Sequence, residues 1–153
     1  MQHLELRVPP LLQLASVALL IWLSSLRADI TAVTLPATEA IAVMLILAGG
    51  AIALSGVIEF RQHKTTMDPR YPDNTETLVT SGIYQLSRNP MYLGFAVALL
   101  GWCYWHENLA GFIWLPLFVL YMNRFQIQAE EAFMKRKFGH AYQAYCVRVR
   151  RWI

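Results

Sequence analysis

Two long runs without a single charge constrain this chain more than any other feature. Residues 9–26 (PPLLQLASVALLIWLSSL) hold 18 residues between Arg7 and Arg27 with no Asp, Glu, Lys or Arg. Residues 40–58 (AIAVMLILAGGAIALSGVI) hold 19 between Glu39 and Glu59. A bilayer core about 30 Å thick takes roughly 20 apolar residues per helix, so both runs qualify as membrane spans. Two further uncharged runs, 90–106 and 108–123, are individually short. They become a helical hairpin, with spans at about 90–105 and 108–125, if His106, Glu107 and Asn108 form a tight turn. Composition agrees: charged residues are 15% of the 153 and hydrophobic ones 56%, against about 25% charged in an ordinary soluble domain. Two cysteines, Cys103 and Cys146, are too few for a disulfide framework. No small-x-small cleavage site follows the first run, which reads as a retained span rather than a signal peptide. The expectation is an all-α integral membrane protein of about four spans, forming one domain over residues 1–153.

The basic residues test this span count independently. Four spans put the N-terminus, the middle loop and the C-terminal tail on one side. Of 13 Lys and Arg residues, 12 then share that side and Arg27 alone lies opposite. Basic residues favour cytoplasmic segments, so the N-terminus, middle loop and tail are expected in the cytoplasm.

The middle loop, residues 60–89, is long for a mere connector. It carries the turn signals Asp68-Pro69, Tyr71-Pro72-Asp73-Asn74 and Ser81-Gly82. Its Tyr71, Leu78, Val79, Ile83 and Tyr84 suggest that part of it packs. Arg88-Asn89-Pro90 opens the third span. Asn is a favoured N-cap and Pro a favoured first helical residue, which explains both structurally. The same helix start, with Arg88 beside it, also suits an anionic group. In the tail, residues 126–138 read as a helix continuing from the fourth span and stopping at Gly139. A second short helix then carries Phe138, Tyr142 and Tyr145 on one face. Glu130 and Glu131 are either a solvated face or part of a pocket shared with the loop. Gly49, Gly50, Ala51, Ala53, Ser55 and Gly56 suit close helix packing, with room for a lipid chain as the alternative. Trp102, Trp105 and Trp114 read as interface anchors or packing residues. His3, His63, His106 and His140 are scattered. The chain has no Gly-rich phosphate loop, metal-ligand spacing or serine-nucleophile elbow, and nothing in it suggests nucleic-acid binding.

Residues 78–84 (LVTSGIY) followed by 88–94 (RNPMYLG) resemble the signature of the isoprenylcysteine carboxyl methyltransferase family. Glu130-Glu131 followed by Phe138-Gly139, Tyr142 and Tyr145 resembles its second signature. The related phospholipid N-methyltransferases share a similar C-terminal half. The resemblance covers roughly residues 57–153. It implies an integral membrane methyltransferase using S-adenosylmethionine, with a cytoplasmic cofactor site built from segments 78–94 and 124–145. Carried over by position, Gly82, Tyr84, Asn89, Pro90, Tyr92, Gly94, Glu130 and Glu131 are the expected cofactor-binding residues. Tyr142 and Tyr145 match too, either at the cofactor or packing the tail onto the pocket. Many family members have His where this chain has Asn89; a cap or hydrogen-bonding role survives that change, whereas a base does not.

Methyl transfer from a sulfonium is an in-line displacement in which the protein supplies placement and electrostatics. A carboxylate nucleophile is already ionised at neutral pH and needs only a cation to orient it. Arg88 and Arg124 are the expected catalytic cations. An amine or thiol must first lose a proton, and the sequence offers no obvious base. The leading expectation is methylation of the carboxylate of a lipophilic, prenylcysteine-like substrate reached from membrane lipid. N- or S-methylation of a phospholipid amine or a small thiol is the second. A non-catalytic membrane protein retaining the fold is the third. Whether the bundle forms a homo-oligomer is left open by the sequence.

Overall fold

In the computed structural model, residues 8–26, 32–63 and 77–153 are described, and their regular structure is helical. The turn signals at Asp68-Pro69 and 71–74 lie outside the described residues. Helix α1 spans Pro10–Ser25, with proline in its first turn. Helix α2, Thr38–Gln62, starts after Ala37 at φ 48°. Its first turn carries Glu39 and its last turn Arg61, each opposing the helix dipole with the favourable sign. Helix α3 spans Pro90–Trp105. A 3₁₀ turn (Leu109–Ile113), helix α4 (Trp114–Tyr121), a π-helical segment (Met122–Ile127) and helix α5 (Gln128–Arg148) then follow one another without a gap.

The tight turn expected at residues 106–108 is present, with Glu107 at φ 47°. Buried Asn108 accepts from the Ala110 amide and donates to the Ser24 carbonyl. Glu107 accepts from the Leu35 amide and the Thr38 hydroxyl, which ties the α1–α2 connection to this turn. Gly139 lies at φ 50° and ψ −121°, breaking α5 where the sequence expects a stop.

Among the described residues, α2 alone is long and apolar enough to cross a membrane; α1 and α3 are shorter apolar helices of 16 residues. At 1.5 Å per residue such a helix is about 24 Å long, below the usual bilayer core. The expected fourth span, 108–125, is not one α-helix but three helical types in series. The expected count of four is thus not reproduced by length. Only 17% of the apolar α2 window is covered by protein. A soluble core helix would be covered, so this uncovered apolar surface supports membrane association.

Helix α2 packs antiparallel on α3 through a seam built around glycines on both helices. A Cβ on Gly49 would stand 2.5 Å from the Gly94 carbonyl oxygen, and one on Gly94 2.4 Å from that of Gly49. Further along, Gly101 meets the Ala42 carbonyl and Gly56 meets Met91. The small residues of α2 that face α3 therefore serve helix packing rather than a lipid cleft. On the other side of α3, Ile21, Leu99, Cys103, Phe118, Met122 and Ile127 form the core. Trp102 and Trp114 stitch it to α1, donating to the Ala18 carbonyl and the Ser24 hydroxyl.

Candidate active site

The site lies where the start of α3, the π-segment, α5 and the chain's last residues meet. Arg88 precedes α3, and its guanidinium is mostly buried, with 13% of the side chain exposed. Its Nη1 donates to the carbonyls of Cys146 (3.2 Å) and Val149 (2.9 Å), and its Nη2 to Glu131 Oε1 at 2.7 Å. Arg151 approaches the same carboxylate with a fork: Nε to Oε1 at 3.0 Å and Nη2 to Oε2 at 2.5 Å. Burial alone would push the Glu131 carboxyl up; the hydrogen bonds and charges of Arg151 and Arg88 outweigh it and hold it below the usual carboxylate range. Desolvation works against the Arg88 charge, but its bond to Glu131 leaves it more firmly protonated than usual.

Asn89 occupies the cap position of α3 but its side chain does not cap the helix. Its Nδ2 donates instead to the Arg151 carbonyl at 2.9 Å, and the Arg88 amide donates to the Arg150 carbonyl at 3.0 Å. Two carbonyl oxygens and the Glu131 carboxylate thus surround this helix start. The chain's own C-terminal segment takes up Arg88 Nη1, the Arg88 amide and Asn89 Nδ2, and leaves Arg88 Nε as the buried donor without a partner among the described residues.

The adjacent Glu130 has a different environment. Its Oε1 accepts from the Tyr92 hydroxyl at 2.6 Å and from Gln126 Nε2 at 2.7 Å. Among the described residues, none donates to Oε2. Desolvation raises the Glu130 carboxyl to about 7, against the lowering effect of its bonds to Tyr92 and Gln126; Glu131 adds a small further rise. Tyr84 sits in a 3₁₀ turn (Gly82–Gln85) close enough to feel both Glu130 and Glu59. Its carbonyl accepts from the buried Tyr145 hydroxyl at 2.7 Å. The π-segment makes this arrangement possible. Its wider turn buries the consecutive residues Gln126 and Ile127, and Gln126 then stands one turn before Glu130. Such segments recur at functional sites.

Residues 37–141 match the phospholipid methyltransferase family, more than half of the chain and most of the site. The chain belongs to that family. An uncharacterized protein of Haemophilus influenzae is 40% identical over 63 residues, which are 41% of this chain and the whole of that protein. No solved structure matches the chain. The family is one of membrane methyltransferases, so the chain is a methyltransferase that draws on a methyl donor.

Within this phospholipid methyltransferase family member, the structure gathers some of the sequence-expected residues and separates others. Arg88, Asn89 and Glu131 form one connected group, and Tyr92 and Glu130 another. Gly82 is at φ 53°, and a Cβ there would overlap the Glu59 carboxylate, so glycine is required by the turn itself. Pro90 is buried at the first position of α3. Gly94 lies in the α2–α3 seam, where packing against Gly49 accounts for its size. Arg124 is exposed, with its guanidinium over the Phe125 ring. Tyr142 packs with Tyr145 and Val149, holding the second half of α5 against Leu78 and Phe138. Local sequence pattern does not mark Gln126, Arg151, Ser87 or Glu59 as site residues. The nearest to a signal is at Gln126, an uncharged polar residue four positions before a glutamate, at the end of an apolar run. Glu59 accepts from Ser81 at 2.9 Å, a pairing across 22 residues that no local pattern announces.

Proposed function

We propose that the chain is an S-adenosylmethionine-dependent integral membrane methyltransferase that methylates the amine of a phospholipid-like substrate, with Glu130 as proton acceptor. One observation carries this: a desolvated carboxyl raised to about 7, held on one oxygen by Tyr92 and Gln126. An ammonium must lose a proton before it can attack, and Glu130 Oε2 is the atom to take it. Lifting a carboxyl from 4.5 to about 7 makes that transfer about 3 kcal/mol less uphill. The base that the sequence did not disclose is supplied by burial.

The residues fit the cofactor. Arg88 Nε is a buried donor with no partner among the described residues, suited to the carboxylate of S-adenosylmethionine. S-adenosylmethionine, when bound, supplies an electrophilic methyl group. The chain's part is to orient the amine, keep water out with the Tyr84 and Tyr92 rings, and hold the released proton on Glu130. The uncovered apolar faces of α1 and α2 support multi-pass insertion and a substrate drawn from the bilayer. The one-sided distribution of Lys and Arg supports a cytoplasmic site.

Carboxylate methylation remains the second reading, favoured by the resemblance of residues 78–94 to the isoprenylcysteine enzymes. It needs a second cation to orient the substrate, because Arg88 is engaged by Glu131 and two carbonyls and its remaining Nε is given to the cofactor in this reading. The test is product chemistry. The purified chain in lipid nanodiscs is incubated with methyl-labelled cofactor and either aminophospholipids or a prenylated cysteine. A base-stable labelled phospholipid supports the proposal. Label released as methanol by mild base establishes ester formation instead. Absence of both, together with no calorimetric binding of S-adenosylhomocysteine, overturns the methyltransferase assignment of this site.

A further inference from the structure

We propose that Arg151 is a positioning residue of the methyl-transfer site, and that residues 149–152 are a strap fixing α5 against the start of α3. The proposal rests on the methyltransferase reading above, and it concerns a part of the chain beyond the family-matched residues 37–141.

Every residue from 149 to 152 makes a hydrogen bond to the site or its supports. The carbonyls of Val149, Arg150 and Arg151 accept from the Arg88 side chain, the Arg88 amide and Asn89 Nδ2. The Ser87 hydroxyl adds a longer bond of 3.4 Å to the Arg151 carbonyl. Trp152 Nε1 donates to Asn123 Oδ1 at 3.1 Å, and its ring packs on the core. Val149 is extended, at φ −123° and ψ 130°, so the strap leaves the helix and turns across the start of α3.

The fork of Arg151 explains why one arginine is not enough. Arg88 spends Nη1 on two carbonyls and reaches Glu131 with Nη2. Arg151 takes Oε2 and shares Oε1. Glu131 is thereby saturated and serves as an anchor. Successive residues of an α-helix are about 100° apart around its axis, so clamping Glu131 sets the rotation of this turn of α5. That rotation places Glu130 on Tyr92 and Gln126. In this division of labour Glu131 and Arg151 position, and Glu130 reacts.

The experiment compares wild type, Arg151→Gln, Arg151→Lys, Glu131→Gln and the double variant Glu131→Gln/Arg151→Gln, all full-length in nanodiscs. Displacements of about 1 Å can cost on the order of a hundredfold in rate. Arg151→Gln is therefore expected to lower kcat at least tenfold with KM for the lipid changed less than threefold. Arg151→Lys, which keeps the charge but not the fork, should recover only part of kcat. The double variant should be no worse than the poorer single one. Hydrogen exchange gives a readout that needs no turnover: amides 87–92 and 128–133 should exchange faster in Arg151→Gln, with α2 protection unchanged. Unchanged exchange at both segments overturns the proposal, as do additive losses in the double variant. If wild type transfers no methyl group, the functional reading fails, while the exchange result still decides whether Arg151 positions α5.

Discussion

Replacing Glu130 with glutamine should stabilise this protein at pH 8 and make little difference near pH 4.5. The folded carboxyl is raised to about 7 by burial, against an ordinary value of 4.5. Between those values the folded chain holds a proton that the unfolded chain has released. Stability therefore falls as pH rises through this window, and the loss is complete once the folded group ionises. At about 1.4 kcal/mol per pH unit the difference comes to roughly 3 kcal/mol, or two powers of ten in the unfolding equilibrium. Glutamine preserves the shape and still accepts from Tyr92 and Gln126 through its carbonyl, but it cannot ionise. The groups facing Glu130 are Tyr92 on α3, Tyr84 in the 3₁₀ turn, and Gln126 and Glu131 on its own helical segment. None is replaced. Glu131 has the opposite linkage, because its lowered value makes its contribution disappear only as pH falls below the ordinary carboxylate range. The variant-minus-wild-type difference between pH 5 and 8 cancels every group common to both proteins and so isolates Glu130. The assay is reversible unfolding in mixed detergent micelles, followed by tryptophan fluorescence at several pH values. A variant-minus-wild-type difference that does not grow between pH 5 and 8 would refute the desolvated-carboxyl argument, and with it the proton acceptor.

Gly94→Ala should cost about 1–3 kcal/mol, the usual range for overpacking, because its Cβ would lie 2.4 Å from the Gly49 carbonyl. Cofactor affinity of the folded fraction, measured by calorimetry, should stay within twofold of wild type. Gly82→Ala meets both a left-handed backbone and the Glu59 carboxylate; an unfolding loss of at least about 1 kcal/mol is expected, and a neutral result would mean that Glu59 moves freely. Tyr145→Phe removes a 2.7 Å bond to the Tyr84 carbonyl. It should cost about 1 kcal/mol and speed hydrogen exchange in residues 82–87, which is checked by mass spectrometry.

The helices were legible because their signals are local. Charge-free runs mark α1 and α2, Pro90 marks the start of α3, and Gly139 marks the break in α5. The seam was half legible: Gly49 and Gly56 announced close packing, but their partners on α3 did not announce themselves. Gly94 shows the limit most clearly. Its motif position implied a cofactor contact, and its three-dimensional position explains it by the Gly49 carbonyl. The π-segment was hidden, since its residues differ in no obvious way from those of a continuing α-helix.

By itself, the sequence determined the helical, membrane-seeking character of this phospholipid methyltransferase family member and singled out Arg88, Asn89, Tyr92, Glu130 and Glu131 as candidates for its site. Both follow from composition and short-range order, which act before any tertiary contact forms. The tertiary structure alone decided how the two adjacent glutamates differ. Glu131 meets Arg88 and Arg151 from segments 43 and 20 residues away, while Glu130 meets Tyr92 from 38 away and is raised by desolvation. Desolvation and ion pairing depend on what surrounds a carboxyl in space, and neighbours that distant along the chain are brought together only by the fold.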